Sequence, residues 1–218
     1  MSESSQNPAA GRAEILTAAI DLFGEAGFDA VSISAIARRA GTSKANVFHH
    51  FGSKESLYLE MMREACGKFA DAIAGLSEDG VGFSDRVRDF VRRDIELMHA
   101  QSDRSHLIMR EVLESGPSRG RALAGEVFHD HFGEVVGTFE AGQAAGEFTD
   151  DVPPALAATV VKACNVFLFQ SQHVLRHLPG VDFVDEPARY AELVSRVLLD
   201  GLRPRGDGDA ASTGDTTS

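Results

Sequence analysis

Ser32 to Lys54 reads SISAIARRAGTSKANVFHHFGSK. Ser32 stands where an N-cap belongs, ahead of Ile33, Ile36 and Ala37 at one-face helical spacing. Gly41 supplies a turn without a Cβ, and Ser43 opens a second helix running to about His50. In that helix Val47 and Phe51, four apart, form an inner face. Ser53 caps a further helix, with Glu55 in its first turn, where the helix dipole favours an acid. Two short helices about a glycine turn, the second polar on its outside, are the pattern of a helix-turn-helix. The stretch carries Arg38, Arg39, Lys44 and Lys54 and no carboxylate.

That local sign is reversed in the rest of the chain, whose formal net charge is -12. Such a balance argues against a protein that coats nucleic acid indiscriminately. It leaves room for a specific DNA binder, because affinity depends on the few cations that face phosphate. Residues 1–60 carry five Lys/Arg and seven Asp/Glu, so placement decides and total charge does not. The outer face of the second helix presents Lys44, Ala45, Asn46, Phe48 and His49. Lys44 and Asn46 suit base edges, and Ala45 suits a thymine methyl. Backbone N–H groups behind Ser32, Ser43 and Ser53 suit phosphate oxygens. The candidate DNA-contacting set is Ser32, Arg38, Thr42, Ser43, Lys44, Ala45, Asn46, Phe48, His49, His50 and Lys54. Arg38 and Arg39 read equally as an ordinary solvated face, and His50 equally as a packing residue at the helix end.

Outward from this stretch the pattern stays helical and strand signals are nearly absent. Ile15, Ala19, Leu22, Phe23 and Ala26 form one face of a first helix that Gly27 ends. The helix after Ser53 continues through Leu57, Tyr58, Met61, Met62, Ala65 and Phe69 to about Leu76, long enough to connect two domains. After a polar loop at 77–82, helices are expected at 83–101, 103–114, 118–146, 153–178 and 183–202, punctuated by Gly116-Pro117, Pro153-Pro154 and Leu178-Pro179-Gly180. Asp150 or Asp151 is placed to cap the helix at Pro153-Pro154. The expected fold class is all-α, with about nine helices: an N-terminal three-helix helix-turn-helix domain joined by a long helix to a larger bundle. The expected boundaries are a disordered arm at 1–10, the helix-turn-helix domain at 11–57, the larger helical bundle at 58–202, and a disordered tail at 203–218.

The run AAIDLFGEAGFDAVSISAIARRAGTSKANVFHHFGSKESLY, within Ile15 to Met61, resembles the DNA-binding domain of TetR-family transcriptional regulators. The matching features are LF-x-E-x-GF ending the first helix, Ser32 before the helix-turn-helix, IA-x-x-AG at Ile36 to Gly41, and S-K-x-x-V-F-x-H-F-x-S-K-E-x-L at Ser43 to Leu57. The resemblance implies a recognition helix at Ser43–His50 and a phosphate-binding lysine at Lys54. It places the family's histidine on His50, and His49 where an aromatic often faces DNA. The family's phosphate-contacting tyrosine falls on Phe48, which lacks the hydroxyl and is left to pack on sugar or a thymine methyl. The all-helical remainder is similar in length and order to the family's ligand-binding and dimerisation domain.

That remainder is rich in Phe, Met and His. Met98, His99, His106, Met109, Phe128, Phe132, Phe167, Gln170 and His173 are candidate lining for an apolar or aromatic small-molecule effector, with a packed core as the plain alternative. Val160, Val161, Phe167 and Leu168, with Tyr190, Leu193, Val194, Val197 and Leu198, form apolar stripes on the last two helices. They imply a homodimer reading a palindrome in double-stranded operator DNA, or else a seal on the monomer core. His129-x-His131 diverges on a helix, and His173/His177 lack a third ligand, so no metal is expected. Nor is any cofactor expected. Cys66 and Cys164 read as reduced, buried thiols of a cytoplasmic protein. No apolar run reaches 18 residues, so no membrane span is expected. No nucleophile–base spacing, phosphate loop or paired-carboxylate signature marks an enzyme. The expected function is a sequence-specific transcriptional regulator, a repressor released by its effector. The alternatives are an all-helical binding protein or enzyme without a DNA role, and a DNA-binding regulator that needs no effector.

Overall fold

The computed structural model describes residues 8–77 and 80–204, so most of the arm and tail expected at the two ends lie outside the described residues. Among the described residues the chain is helical, without a strand. The elements are α1 (Pro8–Ala26), α2 (Ile33–Arg39), α3 (Lys44–Phe51), α4 (Lys54–Cys66), α5 (Ala70–Ile73), α6 (Phe83–Ala100), α7 (Ser102–Glu114), α8 (Pro117–Leu123), α9 (His129–Ala144), α10 (Pro154–Leu175) and α11 (Pro187–Gly201). They form two compact units, one drawn from residues up to 70 together with 99–130, the other from 71–98 together with 131 onward. Helix α1 starts at Pro8, inside the stretch read as an arm. Residues 99–130 join the helix-turn-helix unit, although the sequence reading placed them in the larger domain.

In the first unit the apolar faces read from the sequence are the ones buried. Ile15, Ala19 and Phe23 of α1, Ile36 and Ala37 of α2, Val47 and Phe51 of α3, and Leu57, Met61 and Met62 of α4 all sit in the core, joined by Leu107 and Ile108 of α7. Each of the larger side chains, Ala19 and Ala37 aside, contributes about 1.5–3 kcal/mol by leaving water. Tyr58 is buried too, and its hydroxyl donates to Glu111 Oε2 at 2.8 Å. Burial and the Glu111 carboxylate both push the Tyr58 hydroxyl well above the usual tyrosine range. The folded state therefore prefers neutral Tyr58. Its contribution is complete below the unfolded value of about 10 and is lost as pH rises above it. The urea midpoint is expected to fall between pH 8 and pH 10.5, and Tyr58→Phe is expected to start lower at pH 8 but fall less. An equal fall in both proteins contradicts the assignment.

The expected single connector helix is broken. Helix α4 stops at Cys66, a 3-10 turn spans Gly67–Phe69, α5 lasts one turn, and a second 3-10 turn covers Ala74–Ser77. Glycine has low helix propensity, and Gly67 and Gly75 weaken this stretch twice. The helix expected over 118–146 is likewise interrupted, by a π turn at Ala124–Phe128.

The second unit packs Val87, Phe90 and Val91 of α6, Val135 and Phe139 of α9, Ala157, Ala158 and Val161 of α10, and Ala191 and Leu199 of α11 around Phe148. Gly142 lets Phe148 close onto α9, since a Cβ there would stand 2.3 Å from the Phe148 ring. Gln143 Nε2 donates to the Thr149 and Val152 carbonyls and ties the α9–α10 loop. Neither Asp150 nor Asp151 caps α10. Pro153 holds the N-cap position without a side-chain bond, and its carbonyl accepts from Leu156 N and Ala157 N. Cys66 is buried, but Cys164 is half-buried, short of the burial expected. Among the described residues no helix is long and apolar enough to cross a membrane.

Candidate nucleic-acid interface

Three serines start three helices in the same way. Ser32 Oγ accepts from Ala35 N at 3.2 Å, Ser43 Oγ from Asn46 N at 3.1 Å, and Ser53 Oγ from Ser56 N at 2.9 Å. Each cap contributes about 1 kcal/mol and fixes where its helix begins. Between α2 and α3, Gly41 takes φ 66°, the left-handed turn that a side chain would strain. Thr42 N then donates back to Ala37 O at 2.9 Å. The buried pairs Ile36/Ala37 and Val47/Phe51 lock the two helices together, which leaves the other face of α3 outward.

On that outward face Lys44, Ala45, Phe48 and His49 are exposed. Asn46 is half-buried, and its Nδ2 donates to Thr42 Oγ1 at 2.9 Å. His50 is half-buried against Phe51, with ring centroids 6.2 Å apart. Gly11 of α1 lies against both, since a Cβ there would stand 3.8 Å from Asn46 Nδ2 and 3.9 Å from His50 Nε2. Asn46 and His50 thus belong partly to the packing of α3 on α1. The exposed pair Lys44 and Ala45 is the most available for base edges.

The cations of the helix-turn-helix divide by partner. Arg12 is held by Glu60, Arg39 by Asp21 at 3.0 Å, and Arg63 by Glu126 at 2.7 Å. Among the described residues up to Cys66, Arg38, Lys44 and Lys54 have no carboxylate partner. Lys44 and Lys54 each open a helix, α3 and α4. A cation there opposes the helix dipole, so both positions favour a nearby anion. The Lys54 Nζ lies 4.2 Å from the centroid of the Phe28 ring. Of the two arginines that also read as an ordinary solvated face, Arg39 is paired with Asp21 and Arg38 is not.

The nine residues proposed to line an effector site divide between the two units. Met98 and Met109 are buried, His99 and Phe128 half-buried, and His106 and Phe132 exposed. Phe167, Gln170 and His173 lie on the exposed face of α10, so their assignment to an internal lining is corrected. They share that face with Leu156, Val160 and Val174, a second line of large apolar side chains left in solvent. The α11 stripe splits in the same way: Tyr190 is buried, while Leu193 and Val197 are exposed. The sequence reading missed Phe28 and the Tyr58–Glu111 pair. The adjacency of Phe28 to Lys54 had a signal in the aromatic that follows Gly27, whereas nothing local announced Glu111.

Residues 15–61 match the family model described as bacterial regulatory proteins, tetR family. Over 196 residues the chain is 26% identical to the HTH-type transcriptional regulator RutR of Escherichia coli K12, covering 88% of this chain and 90% of that protein. Over 199 residues it is 28% identical to the HTH-type transcriptional repressor NicS of Pseudomonas putida, covering 88% and 92%. The transcriptional regulator FadR of Bacillus subtilis, solved in complex with stearoyl-CoA, shares the fold with TM-score 0.67 at 15% identity, over 88% of this chain and 99% of that one. The geometry of the serine-capped, glycine-turned helix pair and these matches agree: residues 15–61 carry the helix-turn-helix of the tetR-family model, and the chain is similar along most of its length to HTH-type transcriptional regulators.

Proposed function

We propose that the protein is a homodimeric repressor that binds a palindromic operator through α3 and is released from it by a small-molecule effector. The observation that carries the DNA reading is that, among the described residues up to Cys66, Arg38, Lys44 and Lys54 have no carboxylate partner, in a chain of net charge -12. An acidic protein repels duplex DNA at long range, so only an oriented cluster can bring it in. Lys44 and Ala45 read bases, and Lys54, Arg38 and the amides behind Ser32, Ser43 and Ser53 hold phosphate. The repressor reading follows NicS, named a repressor, among the relatives. The effector reading draws on FadR, a protein of the same fold solved with stearoyl-CoA. An apolar or aromatic effector that prefers one bundle geometry shifts the population of dimers away from the half-site spacing that DNA requires.

The two lysines are expected to separate by role. With a duplex selected from a random pool by the wild-type chain, Lys44→Ala is expected to weaken binding by about tenfold or more and to relax sequence preference at one position of each half-site. Lys54→Ala is expected to weaken binding to all variants of that duplex alike and to flatten the salt dependence of log K by about one unit for each bound head. Fluorescence anisotropy titrations at several salt concentrations, on the selected duplex and its single-base variants, measure both. Equal loss of discrimination in the two variants sinks the division of labour.

A further inference from the structure

Phe28, half-buried in the α1–α2 loop, makes an unusual set of contacts for a loop residue. Its ring lies 5.8 Å from the Phe23 ring and 4.9 Å from the Tyr58 ring, the latter edge-on. Two cations lie over it: Lys54 Nζ at 4.2 Å and Arg119 Cζ at 5.0 Å from the centroid. The guanidinium of Arg119, from α8, is held in turn by Asp29, whose Oδ1 and Oδ2 both accept from Nη1 at 3.1 and 3.0 Å. Nearby on α7, Arg110 donates to the carbonyls of Phe23 and Gly24 at the end of α1, and Glu111 accepts from Tyr58. The ring is therefore fixed from three sides before Lys54 meets it.

An aromatic ring is a distinctive partner for a phosphate-binding lysine. A carboxylate would fix the ammonium but also cancel its charge and occupy its N–H groups, as Asp21 does for Arg39. A ring attracts the cation through its quadrupole, accepts no conventional hydrogen bond, and leaves N–H donors for an incoming anion. A lysine side chain otherwise loses much rotamer entropy on being held at phosphate. The Phe28 face meets part of that loss in advance, before DNA is present.

We propose that Phe28 is the positioning residue for the Lys54 phosphate contact, and that the Arg119–Asp29 pair, through that ring, makes the start of α8 part of what sets DNA affinity. The inference rests on the reading of Lys54 as a phosphate contact. It extends control of the interface to a residue on α8, outside the helix-turn-helix.

The test compares the full-length wild type with Phe28→Leu, Phe28→Tyr, Lys54→Ala and the Phe28→Leu/Lys54→Ala double variant on a duplex selected by the wild type from a random pool. Anisotropy titrations across a salt series report affinity and salt slope, and circular dichroism with thermal unfolding reports the fold. Phe28→Leu is expected to weaken binding about twofold to fivefold, the scale of a cation–π contact, and to flatten the salt slope toward that of Lys54→Ala. Phe28→Tyr keeps a π face and is expected to restore both. The double variant is expected to bind as Lys54→Ala does, because the ring then has nothing to position. If the losses multiply, or if Phe28→Tyr fails to rescue while melting like wild type, Phe28 acts only in packing and the proposal falls. If Lys54→Ala weakens binding while Phe28→Leu leaves affinity and slope unchanged, the positioning role alone falls. An unchanged salt slope in Lys54→Ala removes the phosphate contact itself, and the proposal with it.

Discussion

Phe167→Glu, combined with Val197→Glu, is expected to convert the protein to a monomer and to weaken operator binding by about a hundredfold or more. Phe167 is 65% exposed and Val197 is 73% exposed in the single chain, so neither charge disturbs that chain's own core. Leu156, Val160 and Val174 on α10 and Leu193 on α11 are also left exposed, while Val161, Leu168 and Tyr190 are buried in the unit. Six large apolar side chains left in water on two neighbouring helices are what a self-complementary contact needs. A four-helix contact that buries them tolerates no pair of carboxylates at its centre, where each would be desolvated without a counter-ion. The DNA effect is larger than any lost contact. A dimer binds the second half-site intramolecularly, and avidity of this kind supplies about 10²–10⁴ in apparent affinity. Analytical ultracentrifugation reads the mass, far-UV circular dichroism confirms that the helices remain, and anisotropy with a palindromic selected duplex reads the affinity. A double variant that sediments as a dimer, or a monomer that binds as tightly as wild type, refutes the assignment of α10 and α11 to the interface.

How much of this was legible in the sequence follows the range of the interactions involved. The caps at Ser32, Ser43 and Ser53 each act three residues ahead, so residue type and spacing were enough to place three helix starts. The same holds for the inner faces Ile36/Ala37 and Val47/Phe51, where helical periodicity alone names the buried side. The connector was misread because its apolar spacing continues to Leu76 although Gly67 and Gly75 interrupt the backbone; periodicity sees side chains and not the ladder. Position on a helix face could not tell Phe167 from Leu168, since adjacent apolar residues point to different sides and the sequence does not say which side meets the chain's own core. Least legible were the polar pairs. Tyr58 finds Glu111 across 53 residues, and Asp94 finds Lys162 across 68. In the sequence each of these charged residues looks like part of a solvated helix face. Only the folded chain shows that Glu111 and Asp94 are buried.

The Asp94 cluster carries the largest stability effect expected of a single substitution that removes no apolar burial, Lys162→Met. Asp94 of α6 is 1% exposed, so its carboxylate has lost nearly all its water. Its Oδ1 accepts from Lys162 Nζ, and its Oδ2 accepts from Asn165 Nδ2 at 2.8 Å. Asn165 also donates to Val91 O at 3.1 Å, so its amide is committed on the donor side and cannot turn to replace the lysine. Close by, burial pushes the Tyr190 hydroxyl well above the usual tyrosine range, and the negative charge of Asp94 adds to that shift. Methionine matches the stem of Lys162 in length and keeps its apolar packing, so the substitution removes the charge with little else. What remains is a buried carboxylate that still accepts from the neutral Asn165 amide. Breaking a buried pair in this way costs about 3–5 kcal/mol, and the partial exposure of Lys162 lowers the expectation to about 2–3 kcal/mol. For a chain of this size the melting temperature is then expected to fall by roughly 5–10 °C. Asp94→Asn added to Lys162→Met removes the uncompensated charge and keeps an oxygen for Asn165, so it is expected to recover more than half of the loss. Differential scanning calorimetry of the wild type, the two single variants and the double variant closes the cycle. A Lys162→Met protein that melts within about 1 °C of wild type, or a double variant no better than Lys162→Met, means that the pair carries no net stability and that the carboxylate is compensated from elsewhere in the bundle.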